Sequence, residues 1–183
     1  FDEYRYFTPG NNAPFTFICN NHQFGVVICE DLWQEDSRQS IINTAMQTLI
    51  AINASPYKKN KQGERQDILQ AFTNHGIHVL YLNQVGGQDE LIFDGQSFAQ
   101  DNHAIKAKAL AFKEDLLSIL IDDKGLHANT DVLPFSPEAE LYQALCLGLH
   151  DFLRKNKISN VVLGLSGGID SALCLAIAAD SIG

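Results

Sequence analysis

Alternating strand and helix signals across the first two-thirds of the chain predict an α/β fold, and three observations carry that reading. Residues 24–29 form an apolar run around Val26, Val27 and Ile28, the length of a buried strand. Residues 61–75 are polar on one face and close on Gly76, a common helix stop. Residues 77–85 are apolar again, so strand and helix signals follow each other in turn.

The remaining elements are read in order. Residues 37–47 predict a helix with Ser37 at its N-cap, and residues 48–54 a strand ended by Ser55 and Pro56. After the strand over 77–85, Gly86 and Gly87 turn the chain. Residues 90–121 predict a sheet edge with hairpins: Leu91, Ile92 and Phe93, a turn at Asp94-Gly95, then Ser97, Phe98 and Ala99. A last run over 116–121 ends at the turn residues 122–125. Periodicity disappears over 127–137, where Pro134 and Pro137 mark a linker. Residues 138–155 predict an amphipathic helix with Leu141, Leu145, Leu149 and Phe152 on its apolar face. A short strand over 161–163, a turn of small residues and an apolar helix from Ser171 complete the chain. No internal repeat or low-complexity tract is visible. The expected division is a first domain over 1–130, a linker over 131–137 and the start of a second domain over 138–183.

Composition bounds the function. A chain of 183 residues with 45% hydrophobic and 19% charged residues can bury a substantial core. A net charge of −9 argues against nucleic acid as a main partner, because phosphate-backbone binding needs clustered Lys and Arg. No apolar run reaches the length of a membrane span and no signal peptide is evident, so a cytoplasmic protein without a membrane partner is expected. Cys19, Cys29, Cys146 and Cys174 are scattered, with no paired spacing for zinc, which fits reduced thiols. The chain starts at Phe1 and stops at Gly183, one helix after the small-residue turn. One strand and two helices cannot form a nucleotide-binding sheet, so an internal piece of a longer protein is expected.

That turn is the most specific local signal. Gly164, Leu165, Ser166, Gly167, Gly168, Ile169, Asp170 and Ser171 join the short strand to the last helix. Free N–H groups and the positive end of the macrodipole make a helix N-terminus receptive to anions. Gly167 and Gly168 allow close backbone approach to a phosphate, and Ser166 and Ser171 add hydroxyl donors. Asp170 can cap the helix or help position a magnesium ion. No Gly-Lys-Ser/Thr follows, so this is not a Walker loop. Ser166-Gly167-Gly168-Ile169-Asp170-Ser171 resembles the pyrophosphate-binding loop of the ATP pyrophosphatases, which split ATP into AMP and pyrophosphate. The resemblance implies ATP and Mg2+ at these residues, with Asp170 toward the metal.

Cys29 closes an apolar strand and is followed by Glu30, Asp31, Leu32 and Trp33. Strand ends in α/β proteins face the crevice above the sheet, where reactive side chains gather. Thiolate is the reactive form, so a nucleophile needs a base or cation nearby, and neighbouring carboxylates alone oppose ionisation. By itself Cys29 fits a small buried hydrophobe as well as a nucleophile. The run from Gly25 through Val26, Val27, Ile28, Cys29, Glu30, Asp31 and Leu32 to Trp33 resembles the nucleophile segment of the nitrilase (carbon–nitrogen hydrolase) superfamily. There a strand-end cysteine attacks an amide or nitrile carbon. Asn53, Ala54, Ser55, Pro56 and Tyr57, with Lys61 beyond, resemble the substrate segment of the glutamine-using branch. Ser55 and Lys61 are then implied to hold the amino-acid end of glutamine; a plain turn and a solvated helix start are the ordinary alternative. Residues 1–10 also fit the family, and Glu3 matches a glutamate that supports the site, or is an exposed loop carboxylate. The family's catalytic lysine and general-base glutamate are expected before this segment, outside the chain. Gly86 to Gly95 also resemble the pattern, as packing and turn chemistry.

A nitrilase-type glutaminase followed by this nucleotide loop is similar to the glutamine-dependent NAD synthetase family. The resemblance implies a partial nitrilase-like α-β-β-α sandwich, then the start of a Rossmann-like adenine nucleotide alpha hydrolase domain. It implies glutamine-hydrolysing, ATP-dependent amidation of deamido-NAD to NAD, with release of AMP, pyrophosphate and glutamate. Cys29 is the implied catalytic nucleophile, glutamine and deamido-NAD the implied small-molecule partners, and a homo-oligomer the expected assembly. The residues also leave open an amidase whose nucleotide loop is regulatory, and a scaffold in which Cys29 is a core residue.

Overall fold

Two asparagines set the edge of the sheet. Strands β1 (Phe15–Cys19) and β2 (His22–Ile28) form a hairpin whose two-residue loop, Asn20-Asn21, has positive φ at both positions. That backbone matches the twist of paired strands, and asparagine tolerates it better than most residues. Sequence reading begins the sheet at residue 24; the Asn-Asn pair between apolar runs is the signal it passes over. The computed structural model describes residues 5–8, 10, 13–102, 104–122, 124–128 and 136–182.

Three parallel strands form the centre: β2, β3 (Thr48–Asn53) and β4 (His78–Asn83), with α1 (Glu35–Ile42) and α2 (Lys61–Thr73) as crossovers. With β7 (Phe98–Gln100) and β8 (Ile105–Lys108), the sheet runs β1-β2-β3-β4-β7-β8. Register puts Val27, Ala51 and Tyr81 in one row facing the helices. These residues join Leu49, Val79, Phe98, Ile41, Leu69 and Phe72 in the main core. Period-two alternation sends Ile28, Ile52 and Leu82, a row of their own, to the opposite face, where they are 64%, 48% and 45% exposed. The architecture is mixed α/β, with helices on one face of the sheet.

Several expected boundaries move. The helix expected over 37–47 is α1, which starts at Glu35, so Ser37 is buried inside it and caps nothing. Glu35 and Asp36 stand in its first turn, where negative charge suits the dipole. Gly86 and Gly87 lie inside strand β5 (Val85–Gln88), not at a turn. The reversal comes at Asp89, with φ of 51°, before β6 (Leu91–Asp94). Asp94-Gly95 is not a hairpin turn: β6 pairs with β5, whereas β7 pairs with β4, so these residues cross from a ribbon to the main sheet. The run expected over 116–121 is strand only from β9 (Leu120–Asp122), which pairs with β10 (Gly125–His127). Helix α3 (Pro137–Lys155) starts with Pro137 as its first residue; Ser136 Oγ accepts from Ala139 N at 3.2 Å. The expected strand over 161–163 is absent: these residues pair with no strand, and Val162 is 96% exposed. An extended segment needs a ladder partner to become a strand, and no neighbouring strand among the described residues offers one.

Helix α3 docks on the β5–β6 ribbon through close backbone contact. A Cβ on Gly87 would stand 3.1 Å from Gly148 Cα, and one on Gly148 only 2.9 Å from Ile92 Cδ1. Gly87 N donates to the buried Asp151 at 2.8 Å, and Lys155 Nζ donates to Gly87 O and to Gln88 Oε1. Helix α4 (Ile169–Ile182) packs on α3, with Tyr142 Oη donating to Asp180 Oδ2 at 2.7 Å. Among the described residues no helix is long and apolar enough to cross a membrane.

Candidate active site

The C-terminal ends of the parallel strands collect the polar residues. One register step beyond the row of Ile28, Ile52 and Leu82 come Cys29, Asn53 and Asn83, the last two directly paired. Cys29 ends the strand abruptly. Its φ is +41°, unusual for a residue with a side chain, and it opens a 3₁₀ turn over Cys29–Leu32. Such backbone strain concentrates at functional sites and persists only where the surroundings impose it. Two bonds bracket the turn: Ile28 N donates to Asp31 Oδ2 at 2.9 Å and Trp33 N donates to Glu30 O at 2.9 Å. Glu30 Oε1 accepts from Gln34 at 2.8 Å. Both carboxylates beside the half-buried thiol are therefore hydrogen-bonded in the turn, and none of the four cysteines is in a disulfide.

Ser55 is 4% exposed and held on three sides. Its N–H donates to Asn83 Oδ1 at 2.9 Å; its carbonyl accepts from Arg65 at 2.8 Å and from Asn83 Nδ2 at 3.2 Å. Its Oγ accepts from Arg65 at 3.3 Å. Lys61 opens α2, with Nζ 4.0 Å from the Trp33 ring centroid and 2.8 Å from Glu64 Oε2. The hydrogen bond from Lys61, then that from Lys58, holds the Glu64 carboxyl below its ordinary range. Lys61 thus reaches the cysteine turn through its aromatic floor. Glu3 lies outside the described residues.

Arg65 is the residue sequence reading misses. Its side chain is fully buried, with paired bonds to Asp94 at 2.8 and 2.9 Å. Asp94 also accepts from Asn83 and Gln96, at 3.3 and 3.2 Å. A readable signal existed: Arg65, Leu69 and Phe72 fall at i, i+4 and i+7, so the arginine occupies the buried stripe of α2. A charge there needs a buried partner. Tyr81 and Asn53 complete this end of the sheet. Among the described residues, Tyr81 Oη and Asn53 Oδ1 are buried without a hydrogen-bond partner. Burial pushes the Tyr81 phenol above its ordinary value; Arg65 and Ser55 pull it down, and Cys29 and Asp94 push it up.

The small-residue turn lies apart, at the start of α4. Gly167 has φ of +88°, a left-handed backbone that glycine adopts at little cost. A Cβ on Gly164 or Gly167 would meet nothing within 4 Å, so the backbone there is open to a ligand. Ser166 and Ser171 hydroxyls lie 3.2 Å apart, and Ser171 Oγ donates to Gly168 O at 2.9 Å. The helix begins at Ile169, so Asp170 is inside the first turn and is not its N-cap. Among the described residues no three His, Cys, Asp or Glu side chains are grouped to hold a metal ion.

The family described as NAD synthase matches residues 141–183. The glutamine-dependent NAD(+) synthetase of Acinetobacter baylyi is 42% identical over all of this chain and 34% of its own length. That of Aquifex aeolicus is 36% identical over all of this chain and 38% of its own. The chain thus spans about a third of the length of the curated relatives it matches. A solved glutamine-dependent NAD+ synthetase from Acinetobacter baumannii, in complex with ADP, superposes on the whole chain with TM-score 0.93 and 40% identity, over 35% of that structure. A nitrilase-superfamily amidase from Nesterenkonia shares the fold over 58% of this chain and 40% of its own, with TM-score 0.51 and 19% identity.

Proposed function

The chain belongs to the glutamine-dependent NAD(+) synthetase family, and from that premise we propose that it carries parts of two linked sites. Residues 1–130 belong to a nitrilase-like glutaminase, 131–137 link, and 138–183 begin the ATP-binding synthetase. Together they serve amidation of deamido-NAD to NAD with nitrogen taken from glutamine.

In the first half-reaction Cys29 Sγ forms a bond to the side-chain amide carbon of glutamine as the thiol proton passes to a base. The C–N bond breaks, nitrogen leaves as ammonia with that proton, and water then cleaves the thioester to glutamate and thiol. The left-handed backbone at Cys29 supports this reading, because it lifts the residue out of the strand where the strand ends. Ser55 offers a hydroxyl, and Lys61 a cation, for the amino-acid end of the substrate. Asn53 Oδ1 and Tyr81 Oη add unmet polar capacity in the same place.

At the second site the residues fit phosphates. Gly164, Leu165, Ser166, Gly167, Gly168 and Ile169 are exposed, with open space at Gly164 and Gly167, while Ser171 offers a hydroxyl and α4 its N-terminus. Asp170 is the residue that would reach Mg2+, which commonly takes only one or two protein carboxylates beside phosphates and water. When bound, that metal neutralises charge on the phosphates. Here the deamido-NAD carboxylate bonds to the α-phosphorus of ATP as pyrophosphate leaves, and ammonia then attacks the acyl carbon and displaces AMP.

The observation that carries the proposal is the coexistence, in one chain, of a strand-end cysteine in strained backbone and an open glycine loop at a helix N-terminus. Product accounting on the full-length protein tests it: each NAD formed from deamido-NAD should appear with one AMP, one pyrophosphate and one glutamate. Glutamate without AMP would contradict the ligase reading and leave an amidase.

A further inference from the structure

The first turn of α3 reaches the serine loop through an unbroken line of side chains. Glu140 Oε1 accepts from Gln96 Nε2 at 3.1 Å. The same amide nitrogen donates to Asp94 Oδ2 at 3.2 Å. Asp94 holds Arg65 with two bonds, and Arg65 holds the carbonyl and hydroxyl of Ser55. All the middle members are buried: Arg65 at 1%, Asp94 at 1% and Gln96 at 4% exposure. A buried, connected polar chain is stiff, because any member that lets go strands a polar group out of water.

Gln96 is set for this task by its backbone. Its φ is +52°, following Gly95 at +65°, so a side-chain-bearing residue sits in left-handed conformation at the crossing from β6 to β7. That conformation is costly for glutamine. Gln96 shares one amide between the carboxylates of Glu140 and Asp94, which belong to different parts of the chain. Around the junction, Tyr57 is pushed above its ordinary value by burial first, then by Glu140 and Asp94. Lys108 is lowered by burial, with Glu140 and Asp94 pulling it up and Arg65 down. The charge of Glu140 is thus felt at Tyr57, two residues beyond Ser55.

We propose that Glu140 is a positioning residue for Ser55, acting through Gln96, Asp94 and Arg65. The helix that leads to the nucleotide loop thereby fixes the serine on the glutamine side. The effect on glutamine use rests on the function proposed above; the mechanical link does not. Spatial connection alone does not establish energetic coupling, so the test measures coupling.

In the full-length protein, Glu140→Ala removes the acceptor, whereas Glu140→Gln keeps an oxygen for Gln96. The alanine variant should raise the KM for glutamine roughly ten-fold, the equivalent of one lost charge-assisted hydrogen bond. Its kcat with added ammonia should stay at the parent value. Glu140→Gln should recover most of the glutamine KM. Combined with Gln96→Ala, the change should be far less than the product of the single effects. Amide hydrogen exchange over 55–57 should be faster in Glu140→Ala than in the parent protein, whether or not glutamine is turned over. Unchanged exchange together with an unchanged glutamine KM overturns the link, as does an equal loss with glutamine and with ammonia. Faster exchange in a protein that turns over no glutamine supports the link and overturns the function on which its consequence rests.

Discussion

At the scale of single residues, the most consequential pair is Arg65 and Asp94, sealed beneath the serine loop. Removing one partner of a buried ion pair leaves the other charged and dry, which costs more than the pair contributes. Arg65→Leu should therefore destabilise the full-length protein by about 3–5 kcal/mol, read as a lowered urea midpoint, with Arg65→Leu/Asp94→Leu recovering part of the loss. A double variant no better than the single would show that the cost lies in shape and not in the stranded charge. The nucleotide loop has its own residue-scale test. Gly167 sits at φ of +88° with open space above it, so valine there both strains the backbone and occupies the space. Gly167→Val should raise the KM for ATP roughly ten-fold or more without changing glutamine hydrolysis. An unaltered ATP dependence would remove this loop from the phosphate site. Periodicity locates the strand ends and helix start beside Cys29, Ser55 and Lys61, but only the family resemblance singles those residues out. Gln96 and Glu140 were not legible, since hydrogen bonds between residues 44 apart leave no local trace.

At the scale of elements, the central strands and α2 were legible for a simple reason: continuous apolar runs and a helix stop are short-range signals. The edges were harder. Gly86-Gly87 has the composition of a turn yet forms strand, because its bare backbone is what lets α3 approach at Gly148. The run over 161–163 has the composition of a strand and forms none, because pairing is a property of neighbours and not of sequence. At the other end of β4, His78 stands near His22 and Asp101. Burial holds its imidazole below the ordinary 6.5, His22 adds to the lowering and Asp101 opposes it. The folded protein thus favours the neutral ring, so this contribution is complete above the unfolded value of 6.5 and is lost as pH falls through the lower folded value. Stability should decline on acidification below that point, and His78→Gln should flatten the decline. An identical pH profile in the variant would assign the dependence to other groups.

At the scale of the whole molecule, the sheet and the C-terminal helices are joined by contact as well as by chain. Helix α3 presses Gly148 on the β5–β6 ribbon, and Asp151 and Lys155 bond the ribbon's backbone. Gly87→Val would drive its side chain into Gly148 Cα, and overpacking of this kind costs about 1–3 kcal/mol. The expected outcome is faster hydrogen exchange in both the ribbon and α3, with the main sheet unaffected; exchange unchanged in α3 would mean that the docking is not held there. The exposed row of Ile28, Ile52 and Leu82 fits an α-β-β-α sandwich, in which a second sheet covers this face.

The central claim is that Cys29 delivers nitrogen to a reaction completed elsewhere, and one comparison tests it most directly. Full-length protein carrying Cys29→Ala is supplied with ATP and deamido-NAD, once with glutamine and once with ammonium salt, and NAD is measured. The account predicts a loss of at least roughly a thousand-fold with glutamine and parent-level synthesis with ammonia. Glutamine-driven synthesis that survives the substitution would contradict it.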